Sequence, residues 1–159
     1  KEEKTNVMRV LEQKKIAYTA HTYPHEEGMA VDGVTVAKSM GFDPAIVFKT
    51  LVARGASKQY YVFDVPVAEN LDLKKAAKAV GEKSIEMIHQ KELLPLTGYV
   101  HGGCSPVGMK KLFPTVFHET AENLETMIVS AGKIGYQVEL APRDLAALVR
   151  AKFADIIVE

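Results

Sequence analysis

Two runs of the sequence, 46–54 and 59–67, are crowded with β-branched and aromatic residues and are joined through Arg54-Gly55-Ala56-Ser57-Lys58. Side chains of this kind pack on a pleated surface, and a short glycine-containing link brings the runs back beside each other. The pair therefore predicts a central hairpin, and the other elements must be arranged around it. Shorter strand signals occur at 18–23, 112–118, 126–130 and 136–140, with a further edge strand at 154–158. The segment 84–88 is ambiguous.

Helices are expected at both ends and between the strands. Thr5 can cap a helix to about Lys15, with Val7, Val10 and Leu11 on one stripe. Gly41 closes a short helix at 35–40, Asp72 caps one at 73–80 that Gly81 ends, and Pro142 suits the first turn of a last helix. One helical turn at 90–94 is expected to stop at Pro95. Strand and helix do not alternate regularly, so the pattern predicts an α+β domain with a mixed sheet rather than a doubly wound one. At 159 residues, the span 1–159 fits one domain.

Composition limits the partners. Apolar residues make up 47% and charged residues 25%, and 20 basic side chains are matched by 20 acidic ones. A chain without net positive charge has no general field for phosphates, so DNA is not an expected partner and RNA requires a local basic patch. Lys74, Lys75, Lys78, Lys110 and Lys111 could form such a patch or simply a solvated face. A single cysteine excludes an internal disulfide and suits a reducing compartment, with the cytoplasm as the expected location. No run approaches the roughly 20 apolar residues of a membrane helix, so a membrane is not expected either.

Two places could carry chemistry. Lys49 sits in the apolar run Ala45-Ile46-Val47-Phe48-Lys49-Thr50-Leu51-Val52, on the strand face it shares with Val47 and Leu51. A buried ammonium needs a cleft or an anion, whereas a lysine at a sheet edge can snorkel to solvent. The loop His101-Gly102-Gly103-Cys104-Ser105-Pro106-Val107-Gly108 could aim backbone amides at an oxyanion, or serve only as a tight connection. Cys104 with His101 invites a thiol mechanism, but three residues apart in a glycine-rich loop is not a diagnostic geometry. His21 and His25 flank Pro24, which forbids the helical spacing of a metal pair, so no metal is expected.

Taken together, Phe48-Lys49-Thr50-Leu51 and Gly98-Tyr99-Val100 followed by the loop 101–108 resemble the YbaK/EbsC family, which is related to the editing domain inserted in bacterial prolyl-tRNA synthetases. His21-Thr22-Tyr23, Leu71-Asp72-Leu73-Lys74-Lys75-Ala76, Val129-Ser130-Ala131-Gly132-Lys133 and Phe153-Ala154-Asp155-Ile156 extend the resemblance along the whole chain in one order. It implies a cytoplasmic α+β domain with a curved, barrel-like mixed sheet flanked by helices. The implied reaction is trans-editing: deacylation of mischarged aminoacyl-tRNA, above all Cys-tRNA(Pro) or a related small-amino-acid tRNA, without a cofactor.

The resemblance places the essential lysine at Lys49 and substrate contacts at Tyr23, Thr50, Gly102, Gly103, Cys104, Ser105, Pro106 and Ser130. Its implied partners are the acceptor end of aminoacyl-tRNA and a prolyl-tRNA synthetase. Departures fall at Asp32-Gly33-Val34-Thr35, where cysteine-specific members carry Phe-Gly-Asp-Glu, at Gln137 in place of an aspartate, and at Ile134 in place of an arginine. They bear on which amino acid is removed. A module that keeps the fold without catalysis, and an esterase using Cys104, are the alternatives.

Overall fold

The structure, a computed structural model, describes residues 4–26 and 29–159. Its elements follow in order α1 (Asn6–Gln13), β1 (Thr19–Thr22), α2 (Gly33–Ser39), a 3-10 turn (Pro44–Ile46), β2 (Phe48–Gly55), β3 (Tyr60–Pro66), α3 (Leu73–Val80), β4 (Ile85–Met87) and α4 (Gln90–Thr97). After the glycine loop come β5 (Thr115–His118), a second 3-10 turn (Glu119–Asn123), β6 (Met127–Ser130), β7 (Tyr136–Leu140), α5 (Pro142–Val149) and β8 (Ala151–Ala154). Part of the expected polar loop at 25–33 lies outside the described residues. Among those described, no helix is long and apolar enough to cross a membrane.

The expected hairpin forms: β2 and β3 pair antiparallel, with Lys49 opposite Val65 and Thr50 opposite Asp64. β5 lies parallel beside β3, β8 lies parallel beside β5, and β4 covers the far edge of β2 only at residues 53–55. The result is a mixed five-stranded sheet, order β4-β2-β3-β5-β8. A second, antiparallel sheet of order β1-β7-β6 meets it through one parallel bridge, Val47 to Ile128. The single curved sheet of the sequence reading is thus two sheets hinged at the start of β2.

Apolar side chains fill the spaces between layers. Val7 and Leu11 of α1 and Leu145 and Val149 of α5 pack with Phe117, Val129 and Val138 between the two sheets. Ala76 and Ala77 let α3 approach Phe63 and Val65 on one face of the larger sheet. On its other face Leu93 and Leu96 of α4 meet Val52, Val62, Cys104 and Phe113. Full burial of a side chain such as Phe63 or Phe117 contributes about 1.5–3 kcal/mol each.

Three boundaries depart from the sequence reading by three residues or more. Pro95 does not stop α4, which runs on to Thr97 and ends at Gly98 with φ 89. The proline removes one backbone bond, while Leu93 and Leu96 remain packed, and the Thr97 hydroxyl donates to Leu93 C=O at 2.7 Å. The strand expected at 112–118 starts only at Thr115. The last strand lies at Ala151–Ala154 rather than 154–158, because Arg150 adopts φ 58 and turns the chain directly from α5 into register with β5. Ile157 keeps a single bridge to Leu71.

The Asp72 carboxylate accepts from the N–H groups of Lys74 (2.9 Å) and Lys75 (3.0 Å), two donors that have no partner inside α3. Asp72→Ala should cost about 1 kcal/mol. A thermal melt should show the midpoint lowered by about 2–4 °C, the scale for a domain of this size.

Candidate active site

The hydrogen bonds of β2 decide what a ligand meets. Val47 C=O accepts from Val67 N–H at 2.9 Å and Gly55 N–H donates to Gln59 C=O at 2.9 Å, so the odd-numbered residues of β2 exchange their bonds with β3. Phe48, Thr50 and Val52 turn their backbone groups to the opposite edge. There β4 pairs from Ala53 onward, with Ile88 N–H reaching Val52 C=O at 3.4 Å, and β6 touches only at Val47. Among the described residues no strand covers the edge at Thr50.

A cleft of about 340 Å³ opens along this edge. It is lined by five consecutive residues, 47–51, because an edge-on approach meets side chains from both faces of the strand. Tyr23, Ser130 and Gln137 come from the smaller sheet, Asp32 and Gly33 from the start of α2, and His101, Gly102 and Cys104 from the glycine loop. Of the residues singled out by sequence, the cleft gathers Tyr23, Lys49, Thr50, Gly102, Cys104 and Ser130. Gly103, Ser105 and Pro106 are buried and do not line it.

Lys49 is half-buried and forms no salt bridge among the described residues. Burial holds its ammonium below the usual lysine range, and the negative charges of Asp32 and Glu69 partly offset this. It presents an amine whose charge is incompletely neutralised by protein, suited to oxygen atoms of an incoming ligand.

The glycine loop is braced from within. Tyr99 Oη donates to Val107 C=O, Lys110 N–H to Thr97 C=O at 3.1 Å, Gly103 N–H to Val100 C=O at 3.0 Å, and Val107 N–H to the Ser105 hydroxyl at 3.2 Å. The Gly103 amide and the Ser105 side chain are therefore spent on the loop's shape. Gly102 has φ 88, and a Cβ there would lie 2.7 Å from that of Ala30. Only glycine satisfies both the backbone angle and the closeness of that wall.

Cys104 is buried, and its thiol is pushed up to about 12, first by burial and second by the charge of Asp64. The thiolate needed for nucleophilic attack is disfavoured at neutral pH. The histidines take structural partners: His21 Nε2 lies 2.8 Å from Glu139 Oε1, His25 Nδ1 lies 3.2 Å from Tyr23 C=O, and His118 Nδ1 accepts from Ile156 N–H at 3.3 Å. The five lysines do not form one free basic face. Lys75 binds Asp155 at 3.0 Å and Ile157 C=O at 2.9 Å, Lys110 donates to Pro95 C=O at 3.3 Å, and Lys111 lies over the Phe113 ring.

The sequence reading missed Asp64. It lies in Tyr60-Tyr61-Val62-Phe63-Asp64-Val65-Pro66, and the signal was present as one acid inside an otherwise apolar strand. Asp64 is fully buried, its Oδ1 accepts from the Thr50 hydroxyl at 2.5 Å, and its Oδ2 has no hydrogen-bond partner among the described residues. Burial raises its carboxyl to about 7, and the Thr50 bond opposes the rise.

A small α+β domain with a concave cleft, an incompletely neutralised lysine and a braced glycine loop has the form of a small-ligand site. Residues 25–148 match the aminoacyl-tRNA editing domain, and the chain belongs to that family. As a member it is an aminoacyl-tRNA deacylase. It is 45% identical over 155 residues, 98% of this chain and 94% of the other, to EbsC of Enterococcus faecalis, a protein named as a candidate Cys-tRNA(Pro)/Cys-tRNA(Cys) deacylase. Among solved structures it is similar to a candidate trans-editing enzyme for prolyl-tRNA synthetase (TM-score 0.80, 25% identity, 96% of this chain and 95% of that one). A protein solved in work on epitope backbone grafting is also similar (TM-score 0.84, 25% identity, 96% and 95%).

Because the folded-state value of Asp64 lies above the ordinary 3.8, its stabilising contribution is complete below that value and is lost as pH rises through about 7. Asp64→Asn cannot ionise. Its melting temperature relative to wild type should therefore climb between acid and mildly alkaline pH, as read by parallel thermal melts. A difference that stays flat with pH would show that Asp64 is not the buried acid described.

Proposed function

We propose that this chain is a trans-editing enzyme that releases cysteine from Cys-tRNA(Pro), with Lys49 as its essential side chain. The observation that carries the reading is the placement of Lys49, which forms no salt bridge among the described residues, in the cleft along the open edge of β2 that the glycine loop also lines. The 45% identity to EbsC over nearly the whole of both chains supports cysteine as the amino acid removed.

The chemistry asked of the site is modest, since an aminoacyl ester is already activated. Lys49 holds the oxygens of the terminal ribose or of the ester and fixes the acyl carbon in the cleft. The loop backbone at Gly102 and Cys104, which lines the cleft, provides donors for the negative charge developing on the carbonyl oxygen. Gly103, Ser105 and Pro106 keep that backbone in shape. Tyr23, Thr50 and Ser130 bound the space for the aminoacyl group. No protein nucleophile is needed: the cysteine substrate's own thiol, or water for alanine, can attack the carbonyl.

Editing of this kind answers a physical limit, because one pocket separates small side chains by only about 1–3 kcal/mol. The protein acts in the cytoplasm, where its substrate is made. With equal numbers of acidic and basic residues, and Lys75 tied to Asp155, it has little field of its own to capture tRNA. Delivery by a prolyl-tRNA synthetase supplies what that field lacks, and co-purification of the synthetase with the tagged chain tests it.

Deacylation assays with Cys-, Ala- and Ser-charged tRNA test the activity and rank the substrates, with Cys-tRNA(Pro) expected to be hydrolysed fastest. Lys49→Ala should lower the rate by at least about 10²-fold, the scale for losing a group that faces transition-state charge, while the circular-dichroism spectrum stays native. Full activity in that variant would remove Lys49 from the site. Cys104→Ser should keep its rate within about fivefold, an effect near 1 kcal/mol. An inactive Cys104→Ser enzyme would revive the thiol mechanism.

A further inference from the structure

Asp64 remains unexplained by the mechanism above. Replacing a buried carboxyl with an apolar side chain of similar size usually favours folding, so a lone acid in the middle of β3 is a liability unless it serves the site. Its two oxygens have different fates. Oδ1 accepts the hydrogen bond of the Thr50 hydroxyl, and Oδ2 is buried without a partner among the described residues. Thr50 lies directly opposite Asp64 in the β2–β3 register, and it is also the residue at which the edge of β2 is uncovered.

The consequence is one of polarity. A threonine hydroxyl has one proton and two lone pairs, and its hydrogen can be spent once. With the proton committed inward to Asp64 Oδ1, only lone pairs remain for the cleft. Hydrogen bonds to a carboxylate are also short and strong, so the hydroxyl rotor is fixed rather than free. Thr50 thus offers the cleft an acceptor backed by a negative charge.

Resting on the deacylase reading, we propose that Asp64 is a positioning residue that turns Thr50 into a dedicated acceptor for the α-amino group of the aminoacyl ester. The α-amino group is a donor whether or not it carries a proton, and it is present on every aminoacyl-tRNA. It is the group that distinguishes such an ester from an ordinary acyl ester. Lys49, by contrast, is a donor only. The two neighbouring residues of β2 therefore sort the two ends of the ester, oxygens to Lys49 and nitrogen to Thr50.

Other charged groups around Asp64 do not take its place. Cys104, from the glycine loop, stays protonated, and its thiol feels the Asp64 charge. On β5, the residue opposite is Phe117, and neighbouring His118 is turned to Ile156 and Asp155. On β2, Lys49 and Thr50 alternate across the strand, so the ammonium projects from the other face.

The test compares wild type, Asp64→Asn, Thr50→Val, Thr50→Ser and the Asp64→Asn/Thr50→Val pair at about pH 8, where the carboxyl is ionised. Substrates are Cys-tRNA(Pro) and its deamino analogue, 3-mercaptopropionyl-tRNA(Pro), which has no α-nitrogen. On the free-amine substrate, Asp64→Asn should raise KM about fivefold with kcat little changed, the worth of one lost hydrogen bond made equally in ground and transition states. The effect should vanish on the deamino substrate and in the Thr50→Val background. Thr50→Ser, which keeps the hydroxyl, should retain the preference for the free amine, and Thr50→Val should lose it even if Asp64→Asn does not fold.

Equal losses on both substrates, or additive losses in the pair, would overturn the proposal and leave Asp64 a structural residue. Absence of wild-type activity on both substrates would instead sink the deacylase reading on which it rests.

Discussion

Most of the site follows from the fact that β2 is longer than the strands that cover its outer edge. β3 pairs with β2 along its length, while β4 reaches only residues 53–55 and β6 only Val47. A strand edge left open is ordinarily a hazard, since its free backbone groups invite another strand. Here the gap is short, it lies between two sheets, and the glycine loop and the start of α2 wall it in. The opening, about 340 Å³, is large enough for a small ligand group. Both faces of β2 become accessible at once, which is why consecutive residues, and not alternate ones, line the cleft.

The walls are as constrained as the edge. Gly102 needs its left-handed φ and its missing side chain to sit against Ala30, and a Cβ on Gly103 would press on the backbone of Lys133 and Ile134. The loop's own hydrogen bonds consume the Gly103 amide, the Ser105 hydroxyl and the Tyr99 hydroxyl. Such a wall does not have to rearrange when charge develops beside it. That is the property electrostatic catalysis asks of a protein. The glycines are less a set of donors than the condition for placing a few donors rigidly.

How much of this the sequence disclosed depends on the range of the interaction. The hairpin, the cap at Asp72, the left-handed turns at Gly41 and Gly81 and the strand at Tyr136–Leu140 rest on neighbours a few residues apart, and each was legible. Pro95 misled because its local penalty is small beside the packing of Leu93 and Leu96, which only the folded chain reveals. The shift of β8 came from Arg150 in a conformation that glycine usually supplies, so no local signal marked it. Lys49 could be suspected, but its face could not be judged, since an open edge makes the alternation of faces irrelevant there. Thr50 was singled out and Asp64 passed over, although it stands as one acid in an apolar strand, because their contact depends on hairpin register.

The buried groups also bear on where the attacking atom comes from. Cys104 and Asp64 lie close enough for the charge of one to act on the other, and burial disfavours ionisation of both. With the carboxyl near 7 and the thiol near 12, the first proton to leave is that of Asp64, and its charge then holds the thiol more firmly protonated. The Thr50 hydroxyl donates its hydrogen bond to Asp64 Oδ1 and is held as a binding group, and the Ser130 hydroxyl accepts from Gly132 N–H at 3.1 Å. Lys49 is kept for binding oxygens. The buried thiol is thus held in a form unsuited to attack, which favours a nucleophile brought with the substrate or drawn from solvent. A site built this way exerts its selectivity through what it positions, and Asp64, which never reaches the cleft, is a means of positioning.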